Sequence, residues 1–421
     1  MTISKNYGTA LDFFKYMMCV QEYDAVVVGG GIAGVAAALQ TARMGMQTVL
    51  IEKTALVGGL ATGGLINVFL PLCDGNGHQV TFGIAEEMLR KSIIYGPGEI
   101  PPGWRNECNG EERKRFISVF SPASFVLALD EMLEEAGVDV WLDSLVCDVH
   151  VEHEMVTGLA IENESGRIEL RAKRFVDASG SAVLARRLGQ KVMTDDNCFS
   201  SWTLEFSHGS LCMNYGPVYG NGTPTGVFSD GDLAAAGTSL EKLKQEKRHG
   251  ISGKLVSEYF RVTRRCLRSR YAHVYESGQG DRNFFFPVKL PIMPQFRKIC
   301  AVQARTMMTD GGDGKHVEDS IGMVADWRRA GLIWEVPYSA LVPMQGPGNV
   351  LYAGRCIGAI GDAWEVMRVI PAAALTGQAA GLAAALSLHN SATPADLNYE
   401  QLARSLRSIS IPLHLGELGI D

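Results

Sequence analysis

The segment DAVVVGGGIAGVAAALQTARMGMQTVLIEK, from Asp24 to Lys53, decides the fold. Ala25 to Val28 is a short unbroken apolar run, the pattern of a parallel strand buried on both faces. Gly29, Gly31 and Gly34 follow in G-x-G-x-x-G spacing, with an extra glycine at Gly30. In such a strand–turn–helix unit the first glycine permits the tight turn and the second lets a pyrophosphate approach the backbone. The third lets the helix pack closely on the strand. The phosphates then sit at the helix N-terminus, held by free N–H groups and the positive end of the helix dipole. Val35 to Arg43 reads as that helix, and Thr48 to Ile51 as a second strand ending on Glu52. Glu52 lies about 20 residues on, where an acid binds ribose hydroxyls.

The residues beyond Glu52 separate a flavin from a nicotinamide. A nicotinamide-binding domain normally continues into another helix. Here Lys53 leads into an irregular glycine-rich segment, Gly58-Gly59-Leu60-Ala61-Thr62-Gly63-Gly64, which can pass a bulky cofactor without side-chain clashes. A second piece is Arg174 to Gly180, an apolar strand turning at Ala178-Ser179-Gly180. A third is near the C-terminus: Asn349 to Cys356 is a strand and loop, and an alanine-rich helix follows Arg368 with Pro371 in its first turn. One dinucleotide fold assembled from N-terminal, middle and C-terminal pieces is a flavoprotein plan.

On these residues the chain resembles the FAD-dependent oxidoreductase family related to the glutathione-reductase-like and succinate dehydrogenase/fumarate reductase flavoproteins. Further matching pieces are GIAEEMLRK at 83–91, SPASFVLALDEMLEEAGVDV at 121–140, RFVDASGSAVLARRLG at 174–189, PQFRKI at 294–299, VEDSIG at 317–322 and VPYSALVP through GQAAG at 336–381. The resemblance spans most of residues 22–390 and implies an α/β fold. Its core is a Rossmann-like FAD-binding domain of the glutathione-reductase type, made of discontinuous segments, with an inserted α+β substrate domain. The implied division is an N-terminal extension at 1–21 and an FAD-binding domain at 22–85, 120–190 and 336–390. A substrate or cap domain takes 86–119 and 191–335, and a C-terminal tail takes 391–421. The cofactor implied is FAD. The residues implied to hold it are Gly29, Gly31, Ile32, Ala33, Gly34, Glu52, Lys53, Gly58, Gly59, Leu60, Ala61, Thr62, Val146, Ala178, Ser179, Gly180, Gly354, Arg355, Arg368, Ile370 and Ala373. The implied activity is hydride transfer between a small or medium-sized organic substrate and flavin N5, read first as a dehydrogenase. The alternatives are a fumarate-reductase-like reductase of an activated double bond and a flavin-binding protein without turnover. In one respect the chain departs from the family: the histidine commonly found before an acidic residue between the AGR loop and the last helix is Gly361 here, before Asp362.

The isoalloxazine carries the redox chemistry, and the protein binds, orients and tunes it. Reduced flavin gains negative charge around N1 and the C2 carbonyl, and a helix N-terminus aimed there stabilises it. The helix at 370–388 is the candidate, with Arg368 before it as a charge that adds to the field or as the partner of an acid such as Asp362 or Glu365. Arg355 is expected to order the cofactor loop. Arg297 is a candidate for the substrate side, as are Arg305, Asp319 and Tyr338, each with a structural alternative. His78, after the Asp74-Gly75-Asn76-Gly77 turn, is a candidate proton acceptor or an ordinary turn histidine. Nothing singles out a residue for covalent flavin attachment. Without a second G-x-G-x-x-G in a strand–helix unit, no separate NAD(P)H domain is expected. The electron acceptor is left open among oxygen, a quinone and a protein carrier.

Bulk properties agree with a large globular enzyme. The chain has 421 residues, 46% of them hydrophobic and 20% charged, with a formal net charge of −7. That balance gives no reason to expect nucleic acid. The nine cysteines include no C-x-x-C pair, against an iron–sulfur cluster or structural zinc, so no metal is expected. An odd number of thiols reads as a reducing, cytoplasmic setting. Asp12, Lys15 and Glu22 interrupt the N-terminus, which does not read as a signal peptide. The uncharged run Ile370 to Leu388 reads as a buried core helix rather than a membrane span. Between these landmarks, Phe125 to Ala136 has helical spacing, Val138 to Leu142 reads as a strand, and Val146 to Val151, Met155 to Ile161 and Arg167 to Arg171 alternate like an antiparallel meander. Asn214 to Gly237 is loop-rich. Glu241 to Arg270 has helical spacing and carries Arg261, Arg264, Arg265, Arg268 and Arg270, an anion-binding surface or a solvated helix face.

Overall fold

The computed structural model describes residues 20–106, 115–197, 199–207, 209–217, 228–246 and 248–420. The N-terminal extension lies almost wholly outside them.

The fold is an α/β flavoprotein fold built on a mixed sheet. Strand β1 (Gln21–Val28) lies parallel between β2 (Thr48–Ile51) and β6 (Gly166–Asp177), with Val28 opposite both Ile51 and Asp177. Beyond β2 comes β3 (Asp139–Trp141), and β12 (Val350–Tyr352) runs parallel beside the end of β6, with Tyr352 opposite Asp177. Four parallel strands therefore end on one edge. The glycine loop, Glu52, Ala178 and Gly354 follow their last residues within two positions. Ligands of open α/β sheets bind outside such carboxyl ends. The alternating segments form the expected meander, as β4 (Leu145–Glu152), β5 (Met155–Asn163) and the first half of β6, all antiparallel.

Helix α1 (Ile32–Arg43) and helix α6 (Ile370–His389) cover one face of the sheet, and their contact is made by small residues. A Cβ on Gly377 would stand 2.1 Å from the Ala33 carbonyl oxygen, and one on Gly381 would stand 2.3 Å from that of Ala37. The Thr41 hydroxyl hydrogen-bonds the Ala37 carbonyl at 2.8 Å and reaches the Gly381 carbonyl at 3.3 Å. Below this contact Gln378 donates to Gln40 at 2.9 Å and accepts from the Ile84 N–H at 2.8 Å, which fastens the start of helix α2 (Ile84–Lys91). Met88 and Leu89 of α2, and Trp104, share one hydrophobic core with α6 and with helix α3 (Pro122–Glu135). Helix α6 has the length and composition of a membrane span, yet 94% of its most apolar window is buried inside the protein.

A second layer carries β7 (Ser200–Ser207) between β8 (Ser210–Pro217) and β9 (Phe285–Lys289), all antiparallel. Helix α4 (Gly253–Glu276) packs here around Phe199, Leu243, Tyr259, Cys266 and Phe296. The helical pattern from Glu241 to Arg270 is not one helix. It breaks after Gln245 and restarts at Gly253, where the Ser252 hydroxyl caps the Leu255 N–H. Between the two helices the Arg248 side chain turns inward and donates to the carbonyls of Leu243 and Glu246. The arginine stripe of α4 is partly used within the fold. Arg270 pairs with the buried Glu205 at 2.8 Å, Arg265 donates to the Ala236 carbonyl, and Arg264 lies over Phe260.

The α1–α6 contact should fail on adding one methyl group. Gly377→Ala gains about 1 kcal/mol of helix propensity, but the new Cβ meets a carbonyl that cannot rotate away. Overpacking of this kind costs roughly 1–3 kcal/mol. The variant should melt at a lower temperature and retain less FAD on purification; an unchanged melting temperature with full flavin would contradict this packing.

Candidate active site

At the shared strand edge lies a cavity of about 370 Å³, walled by the glycine loop, Glu52, Lys53, Gly58 to Ala61, Ala178 to Ser181, Gly354, Arg355, Arg368, Ile370 and Ala373. A second cavity of about 180 Å³ adjoins it, sharing Gly29, Glu52, Lys53, Ser179, Ser181 and Arg186 and adding Val28, Ser144, Leu145 and Val146.

Gly29 has φ +96°, and a Cβ there would stand 2.6 Å from Cα of Ser179. Gly34 packs against the Gly29 carbonyl, where a Cβ would be 1.8 Å from the oxygen. At Gly31 a Cβ would meet nothing within 4 Å. Open space is left where a pyrophosphate approaches the backbone. Gly30 answers to a different neighbour: its Cα lies under the Glu52 side chain, with 2.9 Å between a notional Cβ and that of Glu52. The Gly30 N–H donates to Glu52 Oε2 at 2.7 Å, and Thr54 donates to Oε1 from its backbone and its hydroxyl, both at 2.9 Å. Glu52 is thus oriented from below and holds its remaining acceptor capacity toward the cavity. The second glycine loop joins the first through the Gly58 N–H, which donates to the Gly30 carbonyl at 2.7 Å.

The N-termini of α1 and α6 both reach this cavity, and neither has a side-chain cap. Two uncapped helix ends offer free N–H groups and partial positive charge to an anion. Asp177, the last residue of β6, is fully buried. Burial pushes its carboxyl up, while N–H groups of Ser179 and Leu184 and the Ser179 hydroxyl hydrogen-bond it. It shapes the 178–184 turn.

The far end of the main cavity is cationic. Arg355 is half-buried; its guanidinium lies on Gly180, where a Cβ would come within 2.2 Å of Nη2, and donates to the Phe296 carbonyl at 2.6 Å. Among the described residues no carboxylate pairs with it. Burial, reinforced by the neighbouring Arg368, lowers it to about 10, so it stays cationic at neutral pH. Arg368 lines the same end, pairs with Glu365 at 2.5 Å and lies over Trp327 at 5.6 Å. Burial works against the Glu365 charge, but Arg368 and Lys298 outweigh it and hold the carboxyl down at about 2. Lys298 reaches Glu365 at 2.9 Å and Asp195 at 2.6 Å, tying the 294–299 segment to the helix start. The opposite wall is apolar: Ile251, Val256, Met293, Pro294, Phe296 and Ile299.

Of the expected cofactor residues, most line this double cavity, and Val146 lines its smaller part. Gly34 and Thr62 stand behind the wall; the Thr62 hydroxyl donates to the Val57 carbonyl at 2.5 Å and closes the second loop. Arg297 also stands behind it, donating to the Gln295 carbonyl and lying over Trp202. His78 lines a separate surface cleft with Glu86 and Arg105 and pairs with Asp74 at 3.0 Å. Gly361, the first residue of helix α5 (Gly361–Met367), has φ +56°, and a Cβ there would be 2.3 Å from Oδ1 of Asp310. A histidine at this position would meet that carboxylate. The sequence reading passed over Arg186, Ile251, Val256, Met293 and Phe296. Apolar residues in a loosely patterned region carry no local signal of facing a ligand.

Residues 24–279 and 313–406 match the FAD dependent oxidoreductase family. The chain belongs to this family. The lining fits that family's cofactor: Glu52 would hold ribose, the open Gly31 backbone and two uncapped helix ends would hold phosphates, and the cationic end would face the ring. This FAD-dependent oxidoreductase is similar to the digeranylgeranylglycerophospholipid reductase of Thermoplasma volcanium, 34% identical over 164 residues, 38% of this chain and 40% of the relative. It is similar to the 3-oxosteroid 1-dehydrogenase of Mycobacterium tuberculosis (strain CDC 1551 / Oshkosh) over a shorter stretch: 45% identical over 56 residues, 13% of this chain and 10% of that one. The chain thus spans about two fifths of the first curated relative it matches. Among solved structures, a geranylgeranyl bacteriochlorophyll reductase-like protein from Thermoplasma acidophilum is similar with a TM-score of 0.45 and 17% identity, covering 93% of this chain and 83% of that one.

Two outcomes follow from this geometry. Gly31→Val should fold with a melting temperature near that of the apoprotein, because its Cβ enters open space, yet carry little or no FAD by acid release and mass spectrometry. Normal flavin occupancy would place the pyrophosphate elsewhere. Arg368→Met should keep its flavin and shift the reduction potential negative by roughly 20–30 mV, from a charge contribution of about 1 kcal/mol next to a helix N-terminus. Spectroelectrochemical titration of a fully loaded variant checks this; an unchanged potential would confine Arg368 to its pair with Glu365.

Proposed function

We propose that this FAD-dependent oxidoreductase is a reductase that saturates a carbon–carbon double bond of a largely apolar substrate. The bound cofactor would supply hydride at N5 in this reading, a proton from solvent would complete the saturation, and the chain supplies the glutathione-reductase-type binding domain and a cap layer over it. The observation that carries the proposal is the composition of the cavity wall. Among the described residues its one carboxylate is Glu52, at the ribose end, and it has no histidine; its far end holds Arg355 and Arg368 beside apolar residues. Dehydrogenation of an alcohol or amine calls for a base within hydrogen-bond reach of the departing proton. Hydride addition to a double bond activated by a carbonyl or carboxylate instead builds negative charge on the activating group, and fixed cations stabilise it. Arg355, half-buried and, among the described residues, without a carboxylate partner, is placed for that role, with Arg368 beside it. Glu365 and Lys298 hold Arg368 in position.

The names of the curated relatives support this direction over the dehydrogenase reading, since the longer match is to a reductase of a geranylgeranyl lipid, whose chains are rich in carbon–carbon double bonds. A reducing cytoplasmic setting suits the odd number of cysteines. The electron source that refills the flavin belongs to the same proposal and is left as a class, a soluble or protein-borne donor.

The holoprotein, photoreduced without oxygen, should regain its oxidised flavin absorbance when mixed with an α,β-unsaturated carbonyl compound, one on an isoprenoid chain included, and mass spectrometry should show the product heavier by two hydrogens. Bleaching of the oxidised flavin by alcohols or amines, with no reoxidation by any alkene, would return the reading to a dehydrogenase.

A further inference from the structure

Away from the flavin cavity, three side chains from distant parts of the sequence converge beside the hairpin of β10 (Ser320–Ala325) and β11 (Ile333–Pro337). Glu335 of β11 is buried, with its side chain only 2% exposed. His414, from the C-terminal segment, places Nδ1 2.9 Å from Glu335 Oε2, and His316, just before β10, places Nδ1 3.7 Å from the same oxygen. The two imidazole rings stand with centroids 4.6 Å apart. One ligand atom from each of the three residues lies within 4.8 Å of the others.

Glu335 is oriented by backbone donors on both sides. The Val317 N–H donates to Oε2 at 2.8 Å and the Leu415 N–H to Oε1 at 3.0 Å. Each donor comes from the residue next to one of the histidines, so the carboxylate already fixes the two backbones that carry the imidazoles. Two imidazoles and one carboxylate are a common donor set for a zinc-type cation, with ligand bonds of about 2.0–2.2 Å and neighbouring ligand atoms about 3.3 Å apart. His414 and Glu335 already stand near that separation, and His316, whose side chain is 65% exposed, closes the rest by a side-chain rotation.

We propose that His316, Glu335 and His414 form a binding site for a divalent transition metal of the zinc type, with solvent in the fourth position. The cation replaces the proton shared between His414 Nδ1 and Glu335 Oε2, which moves to Nε2 of the neutral imidazole or to solvent. The site joins the C-terminal segment, where Leu415, Leu418 and Ile420 pack on Val80, Met323, Ala325 and Ile333, to the hairpin it covers. Its role is that of a staple remote from the flavin. Binding to the folded state alone stabilises it by mass action.

The test uses the FAD-loaded, tag-free full chain, stripped of metal with a chelator and titrated with Zn²⁺ by calorimetry, and with Co²⁺ as a visible probe of tetrahedral nitrogen and oxygen ligation. One equivalent should bind and raise the melting temperature. His316→Ala and His414→Ala should each weaken that binding tenfold or more and abolish the melting shift, with the flavin spectrum unchanged. His316→Ala is the decisive variant, because it leaves the hydrogen bonds of Glu335 intact and so keeps the fold. Absence of a one-equivalent event in the natural chain, or an affinity in either histidine variant equal to that of the natural chain, would overturn the site.

Discussion

The close approach of helices α1 and α6 is the constraint on which the rest of the structure depends. Both helices begin at the flavin cavity, and both present alanine and glycine to each other. With Gly377 against the Ala33 carbonyl and Gly381 against that of Ala37, their backbones meet with no side chain between them. A larger residue at either glycine would push the helices apart and carry their N-termini away from the ligand. Burial of polar groups in the same contact is complete at Gln40, Thr41 and Gln378, each hydrogen-bonded across it. An unpaired amide there would cost on the order of 1–3 kcal/mol, so these residues specify the helix register as well as contributing to stability.

The sheet turns that contact into a site. Because β1, β2, β6 and β12 are parallel and end together, four loops from widely separated parts of the chain open on one edge. The electrostatics are graded along that edge. A hydrogen-bonded carboxylate stands at one end, two helix N-termini open along the cavity, and half-buried guanidinium groups stand at the other. Arg355 and Arg368 differ in kind. Arg368 is neutralised by Glu365, which in turn shares Lys298 with Asp195, so its field is partly cancelled before it reaches the cavity. Among the described residues Arg355 meets only the backbone carbonyls of Phe296 and Arg297, so its charge stays uncompensated toward whatever occupies the site.

Much of this was legible in the residues. The glycine loop, Glu52, the second glycine segment and the AGR turn carry short-range signals, since each needs a small residue or an acid at one place for one reason. Gly30 shows the limit. Nothing local explains an extra glycine, and its neighbour proves to be the Glu52 side chain, 22 positions along the chain. The single helix expected from Glu241 to Arg270 shows another. Helical spacing continues through the break, but an inward-turning Arg248 and a serine cap at Ser252 stop one helix and start the next. His78 follows a tight turn and faces a different cleft, because its ring pairs with Asp74 at the start of that turn and lies beside Glu86 and Arg105 rather than at the sheet edge.

The sequence by itself determined the strand–glycine–helix unit, the placement of an acid after the second strand, the choice of FAD over a nicotinamide and the burial of the alanine-rich helix. Each follows from steric or hydrogen-bonding needs within a few tens of residues. Only the tertiary structure decided that Arg368 pairs with a carboxylate while, among the described residues, Arg355 does not, that Ile251, Val256, Met293, Pro294, Phe296 and Ile299 give the cavity an apolar wall, and that His316, Glu335 and His414 meet. These depend on which side chains converge from strands and loops far apart in the chain. Charge pairing and burial are set by distances in space, which residue spacing does not encode.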